Sequence, residues 1–334
     1  MTKTILGTIT ALALLSTSAM SADRNTSLDR MMYTINPAVS VSGPVYRDQS
    51  DATTKNAYAT DLVRIILKEA DRQAAQYRDA GDMKAYYAVL TMALTVPMQE
   101  GLYIQYRGVD ADVCNSAANS GDLLKKGNAT TYGIFNQYFK TAETPFFPNC
   151  EDINTNKLTQ IIRGGDGSDL SIMQVSIRWH FDDFLALKKY ESVEKTLQYG
   201  VSHLMKGFNP VYRNISAYEC LANGKKSGFF GKKAKVLKEL SYTDLIRGVW
   251  AGQYNSGSIT KTFRFADPNS PYKNHDKGFE RNLNKILAFN GVLAVDMVGN
   301  FKLDSDVAAA FKEVVGNVQN GTNNNTALKA VLSK

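Results

Sequence analysis

Glu100 closes an apolar run, "VLTMALTVPMQ", and is followed by Gly101 and Leu102. A carboxyl at the mouth of an apolar wall is poorly solvated as an anion, so its pKa rises. It can then hold a proton near neutral pH and serve as a general acid. Two further carboxylates, Asp166 and Asp169, stand among glycines in "GGDGSD", residues 164–169. In such a turn they stay solvated and ionised, which suits a general base or an electrostatic stabiliser. The stretch runs on into Ser171, Ile172, Met173, Gln174 and Val175. A third piece, "VWAGQYNSGS" at 249–258, ends an apolar helix in Tyr254 and Asn255. Both offer hydrogen bonds there, and Gly257 permits a left-handed stop. Taken singly, each piece also reads as ordinary structure: a capped helix end, a loop whose Asp169 N-caps a helix, and a helix C-terminus.

The elements that must position these residues read as helices. Leu62, Ile65, Ile66, Leu67, Ala70 and Ala74 repeat at helical spacing over 57–80, with charged residues on the other face. Gly81 and Asp82 break that helix. The next, from about Met83 toward Met98, is apolar almost all round and is expected to be buried, with Pro97 kinking or ending it. Residues 101–165 are largely polar, a long connection that implies short helices or a functional loop. Helical patterns return over Met173–Leu187, Val193–Lys206, Tyr242–Gln253 and Phe279–Phe289, and in an alanine-rich stretch after Leu303. The last segment, with "QNGTNNNT", is expected to be mobile. Strand-like alternation is rare, so the fold class is mainly α.

The chain has 334 residues, 44% of them hydrophobic and 21% charged, enough for one large core. Lys3, the apolar run Ile5–Leu15 and the small residues Ala19 and Ser21 compose an export signal over 1–21, cleaved before Ala22. That run is too short to span a bilayer, so no stable membrane insertion is expected. The expected location is secreted or periplasmic. Cys114, Cys150 and Cys220 then allow one disulfide and one free thiol. Cys114 and Cys150 flank one polar insert and are the preferred pair, although connectivity stays open. The formal net charge is +7. Basic residues gather in "GKKSGFFGKKAKVLK" at 224–238, which reads either as a solvated loop or as attraction to an anionic polymer. Export argues against nucleic acid as the partner.

The order of the three pieces, a carboxylate ending a buried helix, then Asp-Gly-x-Asp-x-Ser-Ile-Met-Gln-Val, then Tyr-Asn-x-Gly, resembles one branch of the lysozyme superfamily. That branch holds the goose-type lysozymes and soluble lytic transglycosylases. On this resemblance, which spans roughly residues 83–290, Glu100 falls at the catalytic glutamate. Ser171-Ile172-Met173-Gln174-Val175 looks like Gly-Leu-Met-Gln-Val, and Gln253-Tyr254-Asn255-Ser256-Gly257 looks like Ala-Tyr-Asn-Ala-Gly. The proposed base of the goose type falls on Asp166, with Asp169 as its rival. The chain departs from the pattern at Gly101, where the family has serine, at Pro97, at Ser171 in place of glycine, and in the long insert over 115–165.

The resemblance implies a lysozyme-like helical domain over 56–300. A polar N-terminal arm at 22–55 precedes it and a short helical extension at 301–334 follows. It implies an enzyme, expected to act as a monomer, that cuts the β-1,4 bonds of peptidoglycan glycan strands. Glu100 would protonate the leaving oxygen, and Asp166 or Asp169 would activate water. Ser171, Met173, Gln174, Tyr254 and Asn255 would line the cleft or position Glu100, and Tyr103 and Trp179 would stack on sugars. A transglycosylase needs only Glu100, as acid and then base, and leaves 1,6-anhydro ends. Acidic residues such as Asp169, Glu143, Glu151 and Asp152 would favour N-deacetylated, cationic strands. An inactive peptidoglycan-binding protein is the alternative of another class. No cofactor or metal is expected, since His180, His203 and His275 have no ligand spacing with the cysteines.

Overall fold

The computed structural model describes residues 35–40, 43–46, 52–105, 161–162, 169–176, 179–213, 241–258, 261–266, 269–296 and 298–334. The export signal, Asp166, Glu143, Glu151, Asp152, the three cysteines and the basic run at 224–238 lie outside the described residues.

The described chain is mainly helical, with three two-stranded antiparallel sheets. β1 (Ile35–Ser40) pairs with β2 (Gly43–Tyr46) inside the stretch expected to be an arm. Helix α1 (Ala52–Asp79) follows and begins slightly earlier than its apolar pattern suggests. Its Leu62, Ile66, Leu67, Ala70 and Ala74 are all buried. Gly81, at φ 73°, makes the turn, and the Asp82 carboxylate caps the next helix by accepting from the Ala85 amide at 3.2 Å.

That helix, α2 (Met83–Gly101), is the centre of the molecule. Every residue from Ala85 to Met98 is buried. It packs against α1 and against α3 (Val193–Arg213), α4 (Tyr242–Val249), α5 (Lys273–Leu287) and α6 (Ser305–Asn320). A helix without a polar face has to be surrounded in this way. Pro97 neither ends it nor stops it short of Glu100. It continues to Gly101, where Leu102 and Tyr103 take left-handed backbone angles and both donate to the Pro97 carbonyl.

Three expectations are corrected. The segment Met173–Leu187 is not one continuous helix: β3 (Asp169–Leu170) and β4 (Val175–Ser176) form a hairpin with Ser171, Ile172, Met173 and Gln174 as its turn. A π-helical turn follows at Phe181–Ala186, then a 3₁₀ turn at Lys189–Glu191. The hairpin forms because side chains from elsewhere satisfy its backbone, as described below. The C-terminal segment is not a loose tail. β5 (Val292–Val295), β6 (Gly299–Lys302), α6 and α7 (Thr326–Leu332) pack into the main core through Phe301, Phe311, Val314, Leu328 and Val331. Asn317 pins the polar connection by bonding Asn324 and Thr322. Tyr103, expected to stack on sugar, is itself core at 1% exposure. Its hydroxyl donates to the Leu94 carbonyl and its carbonyl accepts from Tyr58.

Candidate active site

The three chemistry-bearing pieces meet at the C-terminal end of α2. The first junction is steric. A Cβ built on Gly101 would lie 2.5 Å from the Ile172 carbonyl oxygen and 2.6 Å from its Cα. Only glycine lets the end of α2 press backbone to backbone on the hairpin turn, so the glycine after Glu100 sets the spacing between Glu100 and that turn.

The turn is held by Gln105, a fully buried residue that sequence reasoning passed over. Its Oε1 accepts from the Ile172 amide at 3.0 Å, and its Nε2 donates to the Tyr190 carbonyl at 2.9 Å and to Thr196 at 3.0 Å. Its backbone carbonyl accepts from Ile162, whose own carbonyl accepts from Ser171. Ser171 and Gln174 both have positive φ, at 74° and 44°. The Gln174 amide and side chain both donate to the Ser171 carbonyl. Ser171 is fully buried, and the Met173 side chain packs on Gly200 in the core. Neither presents its side chain to a cleft, which corrects their expected contact with substrate. Gln174 remains half-buried at the surface of the turn.

The second junction joins the hairpin to the end of α4. Beyond Val249 the helix widens into a π turn, Trp250–Tyr254, closed by the Asn255 amide donating to the Trp250 carbonyl at 2.8 Å. Such turns interrupt the regular side-chain spacing and recur at functional sites. Here the turn directs the Tyr254 hydroxyl to the Met173 carbonyl. Gly257 supplies the left-handed stop at φ 58°.

The third junction is the most direct. Trp250 Nε1–H donates to Glu100 Oε1 at 2.5 Å. The indole is itself fixed, stacked on Phe279 of α5 at 4.2 Å with 9° between the planes, with His275 edge-on at 5.1 Å. Glu100 is half-buried against this wall. Burial pushes its carboxyl up to about 7, and the negative charge of Asp169 pushes the same way. The Trp250 bond and the charge of Arg264 oppose that rise. The balance leaves a carboxyl that carries its proton near neutrality.

Asp169 lies half-buried at the start of the hairpin, opposite Ser176, near enough for its charge to be felt at both Glu100 and Tyr254. Asn255 points its Oδ1 at Arg264, which donates to it at 2.8 Å. Trp179 stands 83% exposed. Behind Tyr254, the His203 and His180 rings pack 4.6 Å apart, and Tyr199 bonds His180 Nδ1 at 2.8 Å. Burial and the neighbouring imidazole push His203 down to about 4, so it is neutral at physiological pH. Trp250, Gln105 and Arg264 are the site residues that motif reasoning missed. The only signal for Trp250 was its place in "VWAGQYNSGS".

No group of three or more His, Cys, Asp and Glu among the described residues is arranged to hold a metal ion. No helix among them is long and apolar enough to cross a membrane. Set beside known proteins, the chain matches no family model, no curated protein and no solved structure.

Proposed function

We propose that the protein is a lysozyme-like glycoside hydrolase that cuts the β-1,4 bonds of peptidoglycan glycan strands, with Glu100 as general acid. The observation that carries this reading is the meeting of the three sequence pieces around one carboxyl poised near pH 7. Glu100 delivers its proton to the glycosidic oxygen as the bond to the anomeric carbon breaks. Asp169, close enough to influence Glu100, is the base candidate among the described residues, with Asp166 its rival. Inverting hydrolysis calls for roughly 6.5–9.5 Å between the two carboxyl groups, with water between them. Gln174, Tyr254 and Asn255 shape the wall, and exposed Trp179 is available for stacking on a sugar face.

Digestion of purified sacculi, native and N-deacetylated, with mass analysis of the fragments tests the reading. Reducing ends signify hydrolysis. Anhydro ends signify transglycosylation by Glu100 acting as acid and then base. Preference for deacetylated strands identifies a cationic substrate. Glu100→Gln abolishes release in each case. Binding to sacculi without any fragments replaces the enzyme reading with a binding protein.

A further inference from the structure

Arg264 sits in a short 3₁₀ turn, Arg264–Ala266, beyond the end of the π turn. The approach is made possible by Gly252, where a Cβ would lie 2.6 Å from Thr262 Oγ1 and 2.7 Å from its Cα. Arg264 is 8% exposed. Its Nε and Nη2 grip the Asp276 carboxylate of α5 at 2.9 and 2.7 Å, and Nη2 also donates to Asn255 Oδ1. The guanidinium lies 4.3 Å from the Tyr272 ring centroid and 5.6 Å from that of Trp250. Its Nη1 is buried without a hydrogen-bond partner among the described residues.

Stability alone does not account for this arrangement. A buried ion pair loses solvation that a well-packed apolar pair would not lose, and an unpartnered donor adds to the cost. What the cation does gain is proximity to the reacting carboxyl. The titratable and charged groups that face this corner are Glu100 from α2, Asp169 from β3, Tyr254 from the π turn, Tyr272, His275 and Asp276 from α5 and its start, and Arg264 itself.

We propose that Arg264 is a positioning residue for Glu100, acting through the Trp250 indole to fix the acid and to stabilise the carboxylate it becomes. The inference rests on the reading of Glu100 as the acid. When Glu100 gives its proton to the leaving oxygen, an anion is left against an apolar wall. The Trp250 N–H accommodates that anion directly, and the Arg264 charge favours it through a poorly screened gap. Fixed donors and charges of this kind need no reorganisation at the moment of transfer.

The chain holds two tryptophans, so Trp179→Phe leaves Trp250 as the only indole and a reporter of the Glu100 bond. In that background, Trp250 fluorescence is titrated from acid to mildly alkaline pH, while release from sacculi is measured in the protein and its variants with Trp179 intact. The comparison is with Arg264→Gln/Asp276→Asn, which leaves no unpaired buried charge, and with Arg264→Lys, which keeps the cation but loses the planar fork. The titration midpoint is expected near 7 in the parent. In the neutral pair it is expected to rise by about half a pH unit or more, with kcat lowered about tenfold and KM changed less than about twofold. Arg264→Lys is expected to keep the midpoint but not the rate. A neutral pair, or a folded lysine variant, with parental midpoint and kcat overturns the inference and makes Arg264 structural only. A parent that releases nothing from sacculi overturns the glycan reading instead, while a shifted midpoint in the pair still supports the hold of Arg264 on Glu100.

Discussion

Trp250 donates its indole N–H to Glu100, and the two residues lie 150 positions apart in the chain. The bond favours the ionised carboxylate, while burial favours the protonated acid. Removing the donor without removing the ring separates these effects. Trp250→Phe keeps an aromatic face for Phe279 and loses the bond. Its pH–rate profile is expected to hold activity to higher pH on the alkaline limb. Its maximal rate is expected to fall about tenfold, because the acid is no longer fixed in orientation.

Glu100 also bears on stability. Its pKa in the folded state lies at about 7, above the ordinary value of 4.5. The native protein therefore holds the proton more tightly than the unfolded chain. This contribution is fully present below about pH 4.5 and is lost as pH rises toward 7. Glu100→Gln cannot ionise and still offers Trp250 an acceptor. It is expected to melt higher than the parent at pH 8, with the gap closing as pH falls to 4. Thermal unfolding across that range checks this, and a gap that widens toward acid would refute it.

Gly101→Ala places a methyl 2.5 Å from the Ile172 carbonyl oxygen. Neither backbone can yield cheaply, since one ends a buried helix and the other is held by Gln105. A loss of about 1–3 kcal/mol is expected in urea unfolding. Activity should fall further than the loss of folded protein explains, because the strain displaces Glu100 from the hairpin.

Gln105→Leu leaves the Ile172 amide and the Tyr190 carbonyl unpaired in the core. The expected cost is about 2–4 kcal/mol. Hydrogen exchange at Ile172 should accelerate in this variant relative to amides of α1, which reports release of the turn separately from global unfolding.

Tyr103 and Trp179 separate structure from recognition. Tyr103→Phe is expected to cost about 1 kcal/mol of stability, with KM unchanged, because the residue is core. Trp179→Ala, at an 83% exposed position, is expected to leave thermal stability unaltered and to raise KM if the ring stacks on glycan. Parallel melting and kinetic measurements distinguish the two.

The sequence by itself determined the helices whose patterns are strong. The one-sided repeat of α1 and the all-round apolar run of α2 leave few alternatives, since each must bury the surface it carries. It also placed Glu100 at the end of a buried helix and Gly257 at a helix stop. Tertiary structure decided the rest. The stretch from Met173 has helical apolar spacing, yet its first residues close a hairpin and only Phe181–Ala186 winds helically, because Gln105 and Tyr254 reach the hairpin backbone from other elements and satisfy it there. Ser171 and Met173 turned inward for the same reason, and the polar C-terminal connection was fixed by Asn317 rather than left free. Gln105 and Arg264 had no local pattern to mark them, and Trp250 had only its place in "VWAGQYNSGS". Their roles arise from partners far along the chain, and such pairings exist only once the helices have packed.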